Sequence, residues 1–153
     1  MITKEKNKIS KVYLKHKIDE CPDLSWLGEF GKEPKEYPIE HEPNNSRTYN
    51  YFNAENVENM EQAQQNYNRI MQFENGNVCM LGIIAYAEIV INNICQTVQS
   101  CGLWGIESDS DKSYLGEIEK QELDSLCDVL HSLGFTKEEI ASAIDGEVQI
   151  IEV

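Results

Sequence analysis

The chain has 153 residues, of which 41% are hydrophobic, and a formal net charge of −14. This length allows one hydrophobic core of ordinary size and leaves no room for two independent domains. The longest apolar run, VCMLGIIAYAEIVI, is interrupted by Gly82 and Glu88 and is too short to cross a bilayer. We therefore expect no membrane segment, no secretion signal and a cytoplasmic protein.

Charge is distributed unevenly along the sequence. Residues 1–17 contain six lysines and one glutamate, a net charge of +5, so the other 136 residues carry −19. The sequence predicts a basic flexible tail over 1–17 and a single acidic domain over 18–153. Such an acidic body repels nucleic acid, because affinity for phosphates depends on lysine and arginine. Contact with nucleic acid is therefore expected only through the tail.

The five cysteines occur at irregular spacings without a CxxC pair. An odd, irregular set predicts reduced thiols rather than a disulfide framework or a zinc ribbon. Cys127 and His131 stand one helical turn apart, but two further ligands are not recognisable nearby. We predict no metal and no cofactor.

After the tail, the sequence predicts mainly irregular structure in the first third of the chain. Leu24, Trp26, Leu27 and Phe30 form a short apolar cluster, which predicts a strip that anchors to the core without a regular element. Residues 32–50 are rich in proline, glutamate and asparagine and predict an excursion over the surface.

The stretch NAENVENMEQAQQNYNRIMQFENG, residues 53–76, predicts a helix. Asn53 is the expected N-cap, and Asn75 with Gly76 forms the expected stop. Apolar residues recur at spacings of three and four, which indicates one packed face. These residues are Val57, Met60, Ala63, Tyr67, Ile70 and Met71.

Two strands are predicted next. VCMLGIIAYAEIVI is dense in β-branched residues on both alternate sets, as in a central strand covered on both faces. ICQTVQSCG is its expected antiparallel partner, because Asn92-Asn93 between them suits a tight hairpin turn. Gly82 indicates a bulge or a close approach of another group.

GLWGIESDSD, residues 102–111, is the most unusual motif. Trp104 stands between two glycines and is expected to cover the core, with an exposed anchor for a partner as the alternative. Asp109, Ser110 or Asp111 is expected to cap the following helix. A calcium loop counted from Glu107 fails, because its sixth place needs glycine and its twelfth needs glutamate.

The residues after this motif predict a long helix over 111–133, ended by Gly134. Thr136 and Glu139 form a capping box for a short helix, and GEVQIIEV reads as a closing strand. The fold class is therefore α+β, with an antiparallel sheet of about three or more strands, two or three packed helices and an irregular N-terminal segment. The outer side of the long helix is almost uniformly anionic through Glu117, Glu119, Glu122, Asp124 and Asp128.

Four blocks of the sequence resemble a family of uncharacterised proteins of bacteriophages, plasmids and integrated elements. These blocks are DLSWLGEF at 23–30, YNYFN at 49–53, GIIAYAEIVI at 82–91 and GLWGIESDSDKSYLGEIEKQEL at 102–123. They span about two thirds of the chain. The resemblance implies an accessory protein of a mobile element and assigns no catalytic residue.

Three functional hypotheses follow, and the sequence specifies no oligomeric state. The first is a non-enzymatic protein whose acidic surface binds a basic host or defence protein, as nucleic-acid mimics do. The second is an accessory factor that contacts nucleic acid through the lysine tail, and the third is a metal-dependent enzyme centred on Glu107, Asp109 and Asp111. No catalytic residue is recognisable. The predicted partner-binding residues are Trp104, Glu107, Asp109, Asp111, Glu117, Glu119, Glu122, Asp124 and Asp128.

Overall fold

The computed structural model describes residues 6–41, 50–145 and 148–152. The strands are β1 (Lys8–Ile18), β2 (Gly28–Gly31), β3 (Pro38–Glu40), β4 (Tyr51–Ala54), β5 (Met80–Ile91), β6 (Ile94–Gln99), β7 (Leu103–Glu107) and β8 (Gln149–Glu152). The helices are α1 (Met60–Glu74), α2 (Lys112–Ser132) and α3 (Lys137–Ile144). The predicted α+β class is confirmed.

The chain forms two compact units. Unit 1 comprises Met1–Glu20 and Met80–Val153, and unit 2 comprises Cys21–Cys79. The sequence predicted one domain over 18–153, whereas the contacts group residues 6–20 with the C-terminal half. The interaction that joins these distant segments is a long strand pair.

Strand β1 corrects the prediction of a flexible tail. Lys8–Ile18 pairs antiparallel with β5 along almost its whole length, with one irregularity between Ile9 and Lys11. Val12 and Leu14 are buried on one face, and lysines alternate with them on the other. The lysines therefore lie on a central strand of the sheet rather than in a solvated terminus.

Unit 1 contains a five-stranded sheet in which β6, β5, β1 and β8 are adjacent in that order, and β7 also pairs with β5. The predicted hairpin between β5 and β6 is confirmed, with positive φ at Asn92 and Asn93. β7 is a further strand that pairs antiparallel with β5. The predicted closing strand β8 pairs parallel with β1, so the sheet is mixed.

Helices α2 and α3 of unit 1 pack against one face of its sheet. Ile83 and Leu14 from the sheet join Ile118, Leu126 and Ile140 from the helices in one buried cluster. The opposite face carries a small separate cluster formed by Tyr13, Ile84 and Tyr86, with Ile151 packed against it. The alternation of β1 and β5 residues between these clusters gives the sheet two chemically different faces.

Unit 2 contains a three-stranded antiparallel sheet, in the order β2, β4, β3, and helix α1. Its core includes Leu27, Phe52 and Ile70. The apolar cluster of 24–30 was predicted to lack a regular element, but it leads into β2, which pairs with β4. The predicted excursion over 32–50 contains β3, and its residues 42–49 lie outside the described residues.

The first helix begins six residues later than the predicted cap implies. Asn59 is the N-cap of α1, and its side chain accepts a hydrogen bond from the Gln62 amide at 2.9 Å. Asn53 instead lies buried in β4, where its side-chain oxygen accepts from the Lys35 amide at 2.9 Å. The stop at Asn75 is confirmed as the C-cap of α1.

Candidate functional site

Helix α2 presents three exposed carboxylates from Glu117, Asp124 and Asp128, which we call the acidic helix face. Their spacings of seven and four residues place them on one side of the helix. With a rise of 1.5 Å per residue, the spacings correspond to about 10.5 Å and 6 Å along the axis. The opposite side of α2 buries Ile118 and Leu126 against the sheet. The helix is therefore fixed by its apolar side, with these charges directed outward.

Glu119 belongs only partly to this surface. It is half-buried, and its Oε1 lies 3.8 Å from Nε2 of His16 on β1. His16 is buried, and among the described residues its Nε2 has no hydrogen-bond partner. Glu119 therefore lies at the boundary between α2 and the sheet.

Glu122 is buried, which corrects its assignment to the outer surface. Its Oε1 accepts a hydrogen bond from the Ser100 hydroxyl at 2.7 Å and another from the Gly102 amide at 2.8 Å. The Ser100 oxygen in turn accepts from the Ala85 amide of β5 at 3.0 Å. Glu122 thus ties α2 to the connection between β6 and β7, and it is unavailable to a partner.

The helical period carried a signal for this burial that the sequence interpretation missed. Glu122 stands four residues after Ile118 and four before Leu126, both of which are buried. Positions four residues apart share one side of a helix. Glu122 therefore falls within the apolar stripe, although its charge resembles that of its exposed neighbours.

The ESDSD segment forms the turn between β7 and α2. The Ser110 hydroxyl donates a hydrogen bond to the Glu107 carbonyl at 2.6 Å, and the Ser110 amide donates to the same oxygen at 3.0 Å. Asp111 occupies the N-cap position, as predicted, but within the described residues its side chain makes no cap hydrogen bond. Asp109 and Asp111 are exposed, and Glu107 is half-buried.

Trp104 is half-exposed, at 47%, so the expectation that it covers the core is wrong. Its ring lies against Gly82 of β5, where a Cβ would be only 2.4 Å from the ring carbons. The close approach predicted for Gly82 is thereby confirmed, together with a register shift between Leu81 and Ile83. Because Leu81 and Ile83 pack toward the helices, the alternation places Gly82 and Trp104 on the other face of the sheet.

The predicted partner-binding residues therefore do not form one surface. Glu117, Asp124 and Asp128 lie on α2, whereas Trp104 lies on the opposite side of the sheet. Among residues 6–41, 50–145 and 148–152, no group of three or more histidine, cysteine or acidic side chains is placed to hold a metal ion.

A groove of about 550 Å³ lies between the C-terminal end of α2 and α3. Cys127 and His131, considered above as a metal pair, line it on one side, with Ile140 and Ile144 on the other. Burial raises the pKa of the Cys127 thiol, and the nearby carboxylates of Asp124 and Asp128 raise it further. Cys127 is therefore a protonated thiol at neutral pH rather than a nucleophile.

Comparisons with protein-family models, with curated proteins and with solved structures find no match for this chain. None of the helices in the described part of the chain is long and apolar enough to span a bilayer.

Proposed function

We propose that the chain is a non-enzymatic accessory protein of a mobile element that binds a basic host or defence protein through the acidic helix face. The observation that carries this proposal is the outward presentation of Glu117, Asp124 and Asp128 on a helix whose other side is packed into the core of unit 1. A surface held on a rigid element does not have to become ordered when it binds, so less of the interaction energy is lost.

The charge around this helix supports a basic partner. Residues 80–153 contain fourteen aspartates and glutamates against three lysines. A potential of one sign accelerates association with a surface of the opposite sign and suppresses binding to other acidic proteins. The partner that fits is a protein with a lysine- or arginine-rich groove, of the kind that holds nucleic-acid phosphates.

The resemblance of four sequence blocks to proteins of phages and plasmids supports the biological setting. An element that enters a cell meets nucleases and defence complexes, whose substrate grooves are basic because nucleic acid is their substrate. A protein whose acidic helix occupies such a groove acts as a mimic of nucleic acid. Inhibition of the groove's normal function then requires no catalysis by the mimic.

The experiment is a capture of proteins from host-cell lysate on the immobilised full chain at 0.05 and 0.3 M salt. A variant that removes the acidic helix face combines Glu117→Gln, Asp124→Asn and Asp128→Asn. The matched control combines Glu36→Gln, Glu55→Gln and Glu58→Gln, which removes three exposed charges from unit 2.

The proposal expects one basic protein to be retained by the wild type and the control and lost with the α2 variant. It also expects release at the higher salt, because screening weakens contacts between exposed charges. A duplex oligonucleotide should displace that protein if the two compete for one groove. Retention that is equal for all three chains contradicts the proposal.

A further inference from the structure

The face of the unit 1 sheet that lies opposite α2 and α3 carries a row of lysines. Lys11, Lys15 and Lys17 lie on this face of β1 together with Tyr13, because the strand alternates and its irregularity precedes Lys11. Trp104 reaches the same face from β7. We call this surface, formed by the three lysines, Tyr13, Tyr86 and Trp104, the lysine face.

Two stacked tyrosines hold the lysines in place. The rings of Tyr13 and Tyr86 are 5.4 Å apart and nearly parallel, at 7°. The Lys11 and Lys15 ammonium groups lie 5.2 and 5.9 Å from the centre of Tyr13. Those of Lys15 and Lys17 lie 5.0 and 5.6 Å from the centre of Tyr86. Cation–π contacts of this length order the side chains, so the row of positive charge exists before any ligand arrives.

Trp104 adds an accessible aromatic surface at the end of this row. Lys17 is in register with Gly82, and the Trp104 ring lies against Gly82. About half of the Trp104 side chain is exposed to solvent. An indole ring laid against backbone presents one side to solvent, next to the last lysine.

We propose that the lysine face binds single-stranded nucleic acid. A row of lysines beside an exposed aromatic ring matches a strand whose phosphates need positive charge and whose unpaired bases need a stacking surface. In this arrangement Lys11, Lys15 and Lys17 contact successive parts of the backbone, and one base stacks on Trp104. A duplex satisfies only the lysines, because its bases are already stacked within the helix.

The acidic groups of unit 1 limit this binding without preventing it. Glu88 is exposed in register with Lys11, and Glu107 reaches the same face in register with Met80. The acidic helix face lies on the far side of α2, whose width of about 10–12 Å exceeds the screening length of about 8 Å at physiological salt. The nearby opposing charges on this face are therefore Glu88, in register with Lys11, and Glu107, beyond the Lys17 end of the row.

The first test measures binding of a labelled thymidine oligonucleotide, about twelve nucleotides long, to the full chain by fluorescence anisotropy at 0.1 M salt. The test variant combines Lys11→Gln, Lys15→Gln and Lys17→Gln, which removes the positive charges and keeps about half of each aliphatic stem. The matched control changes the three exposed lysines of α2 and α3, Lys112, Lys120 and Lys137, to glutamine. Both variants lose the same net charge and differ only in the face affected.

The test variant should bind more weakly, and its plot of log affinity against log salt should become shallower by about 2, since each lost phosphate contact with a single strand contributes about 0.7. The control should bind like the wild type. Glu88→Gln should strengthen binding, and misfolding does not produce such a gain. Equal loss in both lysine variants overturns the proposal.

The second test separates stacking from simple charge attraction. Trp104→Ala should weaken binding of the oligonucleotide roughly 5- to 150-fold, the range expected when one base loses its aromatic partner. Trp26→Ala removes a tryptophan of equal exposure from unit 2 and should have no effect. Unchanged affinity in Trp104→Ala, or tighter binding of a duplex of the same length, overturns the proposal. Neither result bears on the acidic helix face, because all of these variants leave Glu117, Asp124 and Asp128 intact.

Discussion

Truncation of Glu122 should destabilise unit 1, because this carboxylate accepts hydrogen bonds from two donors inside the fold. Ser100 is 1% exposed, so its hydroxyl has no access to water once the acceptor is removed. The Gly102 amide is only partly buried and can be hydrated after truncation. An unsatisfied buried donor costs about 1–3 kcal/mol, so Glu122→Ala should lower the free energy of unfolding by about 1–3 kcal/mol.

The assay is urea unfolding followed by the emission of Trp104. A Trp26→Phe background leaves Trp104 as the single tryptophan, so its signal reports unit 1, to which it belongs. With a denaturant slope of about 2 kcal/mol per molar, the midpoint for Glu122→Ala should fall by about 0.5–1.5 M. Glu122→Gln keeps an acceptor oxygen and should recover part of this loss.

The matched control is Glu117→Ala, which removes an exposed carboxylate from the same helix and should change the unfolding free energy by no more than about 0.5 kcal/mol. If Glu122→Ala and Glu117→Ala had the same midpoint, the structural assignment of Glu122 would be refuted. Glu122 would then belong with the surface carboxylates.

Three further predictions concern other groups of the fold. Gly82→Ala places a methyl group in contact with the Trp104 ring, so the emission of Trp104 should shift to the red as the ring is displaced. Cys127 should react with iodoacetamide more slowly than the exposed Cys95, because burial raises its pKa, and peptide mass spectrometry after timed labelling measures both rates. Hydrogen bonds from Thr136 lower the pKa of Glu139. The stabilisation that Glu139 contributes is therefore present above the ordinary glutamate pKa and is lost as the pH falls through the lowered pKa. Melting temperatures between pH 6 and pH 3 should therefore fall less in Glu139→Gln than in the wild type.

Local signals in the sequence predicted those elements whose structure is determined by neighbouring residues. Asn92-Asn93 adopts the positive φ values that a two-residue hairpin needs. Thr136 and Glu139 form the reciprocal hydrogen bonds of a capping box. Each of these arrangements depends on contacts within a few residues, so the pattern alone is sufficient to predict it.

The role of β1 was missed because its charge obscured its alternation. Val12, Leu14 and His16 face the helices, and the residues that alternate with them are three lysines and a tyrosine at positions 11–17. Lysine is uncommon in strands, and a dense run of it is typical of a solvated terminus. The strand is stabilised by pairing with β5, more than sixty residues away in the sequence. Local sequence patterns cannot identify a pairing partner this far away in the chain.

The position of Trp104 depends on the same kind of distant contact. Two flanking glycines indicate an unusual backbone, and Gly105 has a positive φ of 79°. They do not specify that β7 pairs with β5 or that Gly82 receives the ring. Glu117, Asp124 and Asp128 are exposed on α2 as expected, whereas Trp104 lies on the other face of the sheet, and the role of these residues in binding stays a prediction.

The measurement that tests the proposed function most directly is the affinity of the purified captured protein for three chains: the wild type, the acidic-helix-face variant and the unit 2 control. We predict that neutralising Glu117, Asp124 and Asp128 weakens binding by about tenfold or more, equivalent to about 1.4 kcal/mol, and that the control binds like the wild type. Equal affinities for all three chains would contradict it, because the charge of α2 would then contribute nothing to recognition.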